Sequence, residues 1–319
     1  MFKKTLKILI VVLSVAMILS GCSFASHVGP APNPGQQQEA TQSETGQSQQ
    51  QSSESSSESQ SQTEQGSQTS SEEQTRDYLF TLDELKAAIV ESFMPFDAVI
   101  DALKAAGLEK VKTLGFIPRG AINTGADPGV VFGMDVYAGG PITKQQAQAI
   151  VDSLKSDGFN VTDVVSSSKQ DSYLFTVVAE KDGYQLSIGY ASEDIGGDDD
   201  NIHVVIVPPE KEKVDLFLDF AKLGMKRSAK LWNAVASAID KTRIVYSLNV
   251  EGGAPKLSIV VYGIKKSDVD NLLNAVKNRL GVTVSCLNDA MCDITGEYIT
   301  GAVMQINQET FIFSIDTYR

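Results

Sequence analysis

YLFTVVAEKDGYQLSIGY, residues 173–190, is the stretch on which the fold turns. Tyr173, Phe175, Val177 and Ala179 alternate with polar residues up to Asp182-Gly183, and Tyr184, Leu186, Ile188 and Tyr190 alternate away from it. Asp-Gly between two alternating runs is the strongest short-range hairpin signal, because both turn positions tolerate positive φ. One apolar and one polar face on each strand predicts an antiparallel sheet covered on one side only. A second hairpin is expected where Tyr298 to Ile306 and the alternating Phe311, Phe313 and Ile315 flank a turn near Asn307 to Glu309.

Outward from the first hairpin the chain reads as strand, helix, strand. GVVFGMDVYA (Gly129 to Ala138) is strand-like, and Thr143 with Gln146 has the capping-box spacing for a helix whose Ala147, Ile150, Val151 and Leu154 share a face. Gly158 suits its C-terminus, and Phe159 to Val165 is a short strand before the hairpin. The same order recurs later. KLSIVVYG (Lys256 to Gly263) leads to Ser267, then Val269, Leu272, Leu273, Val276 and Leu280 at helical spacing, Gly281, and a strand from Val282 to Cys286. Upstream of the first copy, Thr81 and Glu84 open a helix that Pro95 interrupts and Phe96 to Ala106 resumes, before a strand near Val111 to Ile117. Upstream of the second, Val214 to Ile239 reads as helix and Arg243 to Val250 as strand. The expected architecture is α+β: an α-β-β-α-β-β-β unit in two tandem copies, helices packed on one face of an antiparallel sheet, divided at Pro208-Pro209.

The N-terminus reads differently. Lys3, Lys4 and Lys7 precede an apolar run from Ile8 to Ile18 that ends in Leu19-Ser20-Gly21-Cys22, the charged, apolar, small-residue order of an export signal. The apolar core, about 11 residues, is shorter than the roughly 20 a spanning helix needs. The tetrapeptide resembles the lipobox of bacterial lipoproteins, which implies cleavage before Cys22, diacylation of its sulfur and a membrane partnership through that lipid. Several acyl chains, at about 0.8 kcal/mol per buried methylene, make such an anchor stable. From Gln36 to Thr75 the chain is nearly all Gln, Ser, Glu, Thr and Gly, with seven Glu and no basic residue. That composition buries too little apolar surface to offset backbone ordering and is expected to be a disordered tether, roughly 35 Å end to end and about 135 Å when taut. The expected divisions are therefore a signal peptide (1–21), the lipidated cysteine with its linker (22–76), and α+β domains over 77–208 and 209–319.

Lys155, Gly158, Phe159 and Val161, followed by Asp182, Gly183, Tyr184, Leu186 and Tyr190, resemble uncharacterised lipobox-containing lipoproteins of Gram-positive anaerobes, whose exported domain carries a helix ending in K-x-x-G-F-x-V and a D-G-Y-x-L-x-x-x-Y hairpin. The likeness covers roughly Gly129 to Tyr190. The second copy departs from it, with Leu280-Gly281-Val282 in place of Gly-Phe and no Asp-Gly turn. The resemblance implies an extracytoplasmic, membrane-anchored location and supplies no activity or site residues.

Composition narrows the chemistry. Removing residues 1–21, which hold three Lys and no acid, takes the formal charge from −13 to −16, and so acidic a chain argues against nucleic acid as a partner. Cys286 and Cys292 are a disulfide candidate in an oxidising compartment; C-x5-C is neither a redox C-x-x-C nor half of a zinc site. Only two histidines occur, His27 near the linker and His203 in NIHVVIV, and a Ser-His-Asp or Cys-His hydrolase would need His203 as its base. No G-x-S-x-G accompanies it, and a histidine there reads more readily as a surface residue. Asp198, Asp199 and Asp200 form a weak calcium candidate, with spacing unlike an EF-hand and more in keeping with a solvated hairpin tip. Phosphate-cradle motifs are absent and no cofactor is expected. Trp232 and Tyr246 could line a groove, but Trp232 lies at core spacing with Leu231, Val235 and Ile239. The loop Pro118 to Pro128, with Arg119, Asn123 and Asp127, has no counterpart of its length in the second copy and is a place for recognition. The expected protein is a cell-surface lipoprotein acting as a non-enzymatic binding or structural module toward an envelope protein or polymer. The alternatives are an envelope hydrolase with a carboxylate pair and, further off, a transporter-associated solute receptor.

Overall fold

The computed structural model describes residues 78–91, 96–118, 131–169, 172–191, 200–209, 216–251 and 253–317. Cys22, the linker, Pro95, the loop residues Arg119, Asn123 and Asp127, and Asp198 and Asp199 lie outside them. The fold is mixed α+β. Its first part holds β1 (Phe80–Thr81), α1 (Leu82–Ala88), β2 (Ile89–Glu91), α2 (Phe96–Ala105), β3 (Lys110–Ile117), β4 (Val131–Tyr137), α3 (Lys144–Ser156), β5 (Asn160–Lys169), β6 (Ser172–Lys181), β7 (Tyr184–Ala191) and β8 (Asn201–Val207). The second holds β9 (Phe217–Leu218), α4 (Lys226–Ala236), β10 (Val245–Glu251), β11 (Ala254–Ile264), α5 (Lys266–Leu280), β12 (Thr283–Asn288), β13 (Met291–Thr295), β14 (Ile299–Gln305) and β15 (Phe311–Thr317).

Local chemistry places these elements. Thr81 caps α1 with Glu84, and Thr143 caps α3 with Gln146, each pair exchanging the reciprocal bonds of a capping box. Asp182 and Gly183 take φ of 52° and 82°, which gives the β6–β7 turn the twist its strands need. Gly281 takes φ 66° and its N–H bonds to Lys277, a left-handed stop for α5.

Thirteen of the described strands form one sheet in which β12-β13-β14-β15-β11-β10-β3-β4-β8-β7-β6-β5 are neighbours and β1 lies on β3, while β2 and β9 pair in a separate two-stranded sheet. Every described pairing is antiparallel. At the middle, β3 and β10 pair Phe116 with Tyr246, Gly115 with Ser247 and Leu114 with Leu248. Away from that junction the order is β4-β8-β7-β6-β5 on one side and β11-β15-β14-β13-β12 on the other. In each half the chain leaves its last helix for the outer edge and walks back inward through hairpins.

All five helices contribute to a single apolar cluster on one face of the sheet. Ile100 and Leu103 of α2, Ile150 and Leu154 of α3, Leu231 and Val235 of α4, and Leu272 and Val276 of α5 are fully buried against Ile188, Val204, Phe132, Leu248, Ile259 and Phe313. Full burial of such a side chain is worth about 1.5–3 kcal/mol. Phe217, Phe220, Trp232 and Tyr246 make an aromatic knot in this core, with Trp232 5.5 Å from the Phe220 and Tyr246 rings. Trp232 is a core residue, as its helical spacing implies.

Three sequence expectations need correction. The helix expected over Val214 to Ile239 starts only at Lys226. Ahead of it Phe217 and Leu218 pair with β2, the Asp219 side chain accepts from the N–H groups of Ala221 and Lys222, and Gly224 takes φ 76°. An aspartate side chain that satisfies the following amides competes with a helix, and the apolar spacing alone does not reveal it. The second capped helix begins at Lys266 rather than Ser267, with the Lys265 N–H donating to Asp268. Each half also has four strands after its last helix, not three. β8 closes the first half onto β4, and the short β13 turns the second half's return into three consecutive antiparallel steps.

Candidate functional site on the helix-free face

Period-two alternation sends every second strand residue to the face that no described helix covers. On β3, β4 and β8 those positions include Thr113, Asp135 and His203, brought side by side because Thr113 pairs with Asp135 and Asp135 with His203 in the register. The Thr113 hydroxyl donates to Asp135 Oδ2 at 2.5 Å, and His203 Nδ1 lies 2.7 Å from Asp135 Oδ1. Asp135 is 17% exposed and His203 45%. The carboxylate therefore orients the imidazole through Nδ1, as in a hydrolytic triad. Thr113 touches the carboxylate and not the imidazole, so it does not stand where a nucleophile would. His203, the third residue of β8, is an exposed residue near the strand start, as expected, and is bonded to Asp135.

Across the β3–β10 junction the same face carries a second polar group. Lys256 on β11 reaches Glu251 Oε2 at 2.8 Å and Asp316 Oδ2 at 3.4 Å, and Ser258 also bonds Asp316. Both Lys256 and Asp316 side chains are only 14% exposed. Burial pushes the Asp316 carboxyl above its ordinary value, and Lys256 and Ser258 only partly pull it back. Burial works against the Lys256 charge, yet the hydrogen bond it donates to Glu251 and the charges of Asp316 and Glu251 win, so its value is raised. The two directions agree with the geometry, in which the shorter bond is to Glu251 and Asp316 takes the weaker share. Next to Lys256 in the register sits Asn249, whose buried side-chain oxygen has no hydrogen-bond partner among the described residues. Such an acceptor costs about 1–3 kcal/mol and is answered by a donor from a bound molecule or water.

Asn249 stands between the two groups in the register, and further along β3, β10 and β11 the same face carries a small apolar cluster separate from the main core: Ile117, Val245 and Val260, with Tyr262 and Ile312 against them. An open depression of about 610 Å³ flanks the sheet where Lys265, Lys266, Asp289 and Glu309 meet over Phe311. Its two carboxylates share the space with two lysines.

Cys286 and Cys292 are disulfide-bonded, directly opposite each other on β12 and β13, with Cα atoms 3.9 Å apart. Asp200 is exposed just before β8, and its carbonyl accepts from the Ala138 N–H. Among the described residues no cluster of three or more His, Cys, Asp or Glu could hold a metal. Tyr246 is buried and its hydroxyl donates to the Leu216 carbonyl; burial holds that phenol far above its ordinary range. Among the described residues no helix is long and apolar enough to cross a membrane. Sequence reasoning missed Asp135, Thr113, Lys256 and Asp316. A carboxylate alternating with Phe132, Met134 and Val136 was the only local signal; the union of Lys256 with Asp316 exists only through strand register.

Family models, curated proteins and solved structures were each compared with the chain, and none of the three gives a match.

Proposed function

We propose that the protein is a lipid-anchored, extracytoplasmic binding module, fixed through Cys22 to the outer face of the cell membrane and recognising an envelope protein or polymer with the helix-free face of its sheet. The observation that carries this reading is the pair of polar groups on that face, Thr113-Asp135-His203 and Lys256-Glu251-Asp316, set beside an apolar cluster, with between them a buried acceptor at Asn249 that has no partner among the described residues. Fixed donors and acceptors around apolar surface are what a recognition site requires. We further read the molecule as a duplicated unit divided at Pro208-Pro209, each copy running α-β-β-α-β-β-β-β. The mirrored order of strands about β3 and β10 supports this.

A second reading, an envelope hydrolase, has one observation in its favour: Asp289 and Glu309 share the depression beside β15. One experiment separates the two. The full chain is incubated with purified cell-wall polymer, and both bound protein and released soluble fragments are measured. A binding module sediments with the polymer, loses binding in the double variant Asp135→Asn and Lys256→Met, and releases no fragments. Fragment release abolished by Asp289→Asn would make the hydrolase correct. The anchor is tested by metabolic labelling with an alkyne fatty acid: label and membrane fractionation should both vanish in Cys22→Ala.

A further inference from the structure

We infer that β12 is an interaction edge, and that its occupant is β12 of a second copy of this chain. The sheet ends there: β12 pairs with β13 on one side, and among the described residues no backbone bond is made on the other. The close approach of Cys286 and Cys292, 3.9 Å between Cα atoms, marks them as a non-hydrogen-bonded pair of the ladder. By the alternation of antiparallel pairing, Val284 and Cys286 aim their N–H and C=O groups away from β13, outward from the sheet. An edge of this kind is a template for another strand, and proteins usually blunt it with charge, proline or a bulge. β12 has the first two defences nowhere: residues 280–288 contain no charged residue and no proline. Its bulge falls beyond Cys286 and leaves Thr283 to Cys286 straight. At the opposite end of the sheet, β5 carries Asp163 and Lys169.

Charge selects the occupant. The chain has a formal charge of −13, so two copies repel over most of their surfaces and approach most easily where neither carries charge. An isologous pairing centred on Ser285 sets Val284 of one copy opposite Cys286 of the other and lets them exchange main-chain bonds. The twofold axis stands perpendicular to the sheet, so both copies keep their helices on one face. The same operation is already present inside the molecule, where β3 and β10 join the two halves edge to edge with all helices on one side. Beside the edge, Leu287 is 76% exposed, Met304 47% and Met291 37%, and the pairing gathers these apolar side chains from both copies onto the helix-free face. The disulfide pins β12 to β13 and holds the edge flat for docking.

The test uses the full chain in mild detergent, with its mass followed by native mass spectrometry and sedimentation, and amide exchange read at Val284 and Cys286. A dimer is expected, with exchange at those two amides slowed in the concentrated sample and fast on dilution. Ser285→Lys, which sets like charges opposite each other, should return the protein to monomer mass with an unchanged circular dichroism spectrum, while Ser285→Thr keeps the dimer. A wild-type monomer at every concentration, a dimer that survives Ser285→Lys, or amide exchange indifferent to concentration would each overturn the proposal. An edge that gains protection only when another protein's strand is added would do the same.

Discussion

Lys256 sits where three effects compete, and its neighbour makes the outcome measurable. Asp316 has its folded value raised above the ordinary 3.8, so its contribution to stability is full below that value and is lost as pH rises through the folded value. Lys256 is raised above the ordinary 10.5, so its contribution holds below 10.5 and is lost as pH rises through its folded value. Replacing Lys256 with Met removes the charge that pulls Asp316 down. The Asp316 midpoint should then move further up, and the loss of its contribution as pH rises should extend to higher pH with it. Carbon-13 titration of the carboxyl checks this, and an unmoved midpoint would show that Lys256 does not face Asp316 in solution. Residue-scale chemistry of this kind was poorly legible in sequence. Thr113 and His203 are far apart along the chain, and nothing in the spacing of either indicates that strand register gives them a carboxylate in common. Core residues were far easier to read, because Ile150, Leu154, Val269 and Leu272 declare their burial through helical period alone.

At the scale of elements, hairpins and capped helices were legible because their signals are local: Asp182-Gly183 for the turn, Thr143 with Gln146 for the cap, Gly281 for the stop. The β9 segment was not, since an Asp219 side chain satisfying backbone amides looks, in sequence, like one more polar position on a helix. The β14–β15 ladder depends on a contact no local signal reveals. A Cβ at Gly301 would lie 2.5 Å from the Ser314 carbonyl oxygen and 3.0 Å from the Ile315 Cα, both backbone atoms that cannot rotate away. Gly301→Ala should therefore push the two strands apart and cost about 1–3 kcal/mol, the range for overpacking. Gly189→Ala, on β7, meets nothing closer than the Thr176 hydroxyl at 3.6 Å and serves as the tolerated comparison. Urea denaturation of both variants decides it; equal midpoints would mean that β14 and β15 are less tightly apposed than the structure has them.

For the whole molecule, the sequence pattern conveyed class and order but not continuity. Two α+β segments were expected as separate domains, and periodicity cannot say whether two half-sheets share an edge. In the structure Phe116 and Tyr246 pair across that edge, with ring centroids 5.7 Å apart, and Tyr246 ties to Trp232 and Phe220 behind it. Heat should therefore unfold both halves in one calorimetric transition. A proline at Ser247 removes a main-chain donor in a central strand, at a cost of about 3 kcal/mol or more, and should split that transition in two. Two transitions already present in the wild type would show that the halves are energetically independent.

The inward return of each half also governs synthesis. β15 is the last described strand to leave the ribosome, yet its place is between β11 and β14, deep within the sheet rather than at its rim. Until Phe311 to Thr317 emerges, both neighbours have a vacant side, and the nascent second half cannot close. Loss of this short tail would expose two interior strands at once, making a seven-residue stretch the checkpoint between a finished molecule and one that quality-control proteases recognise.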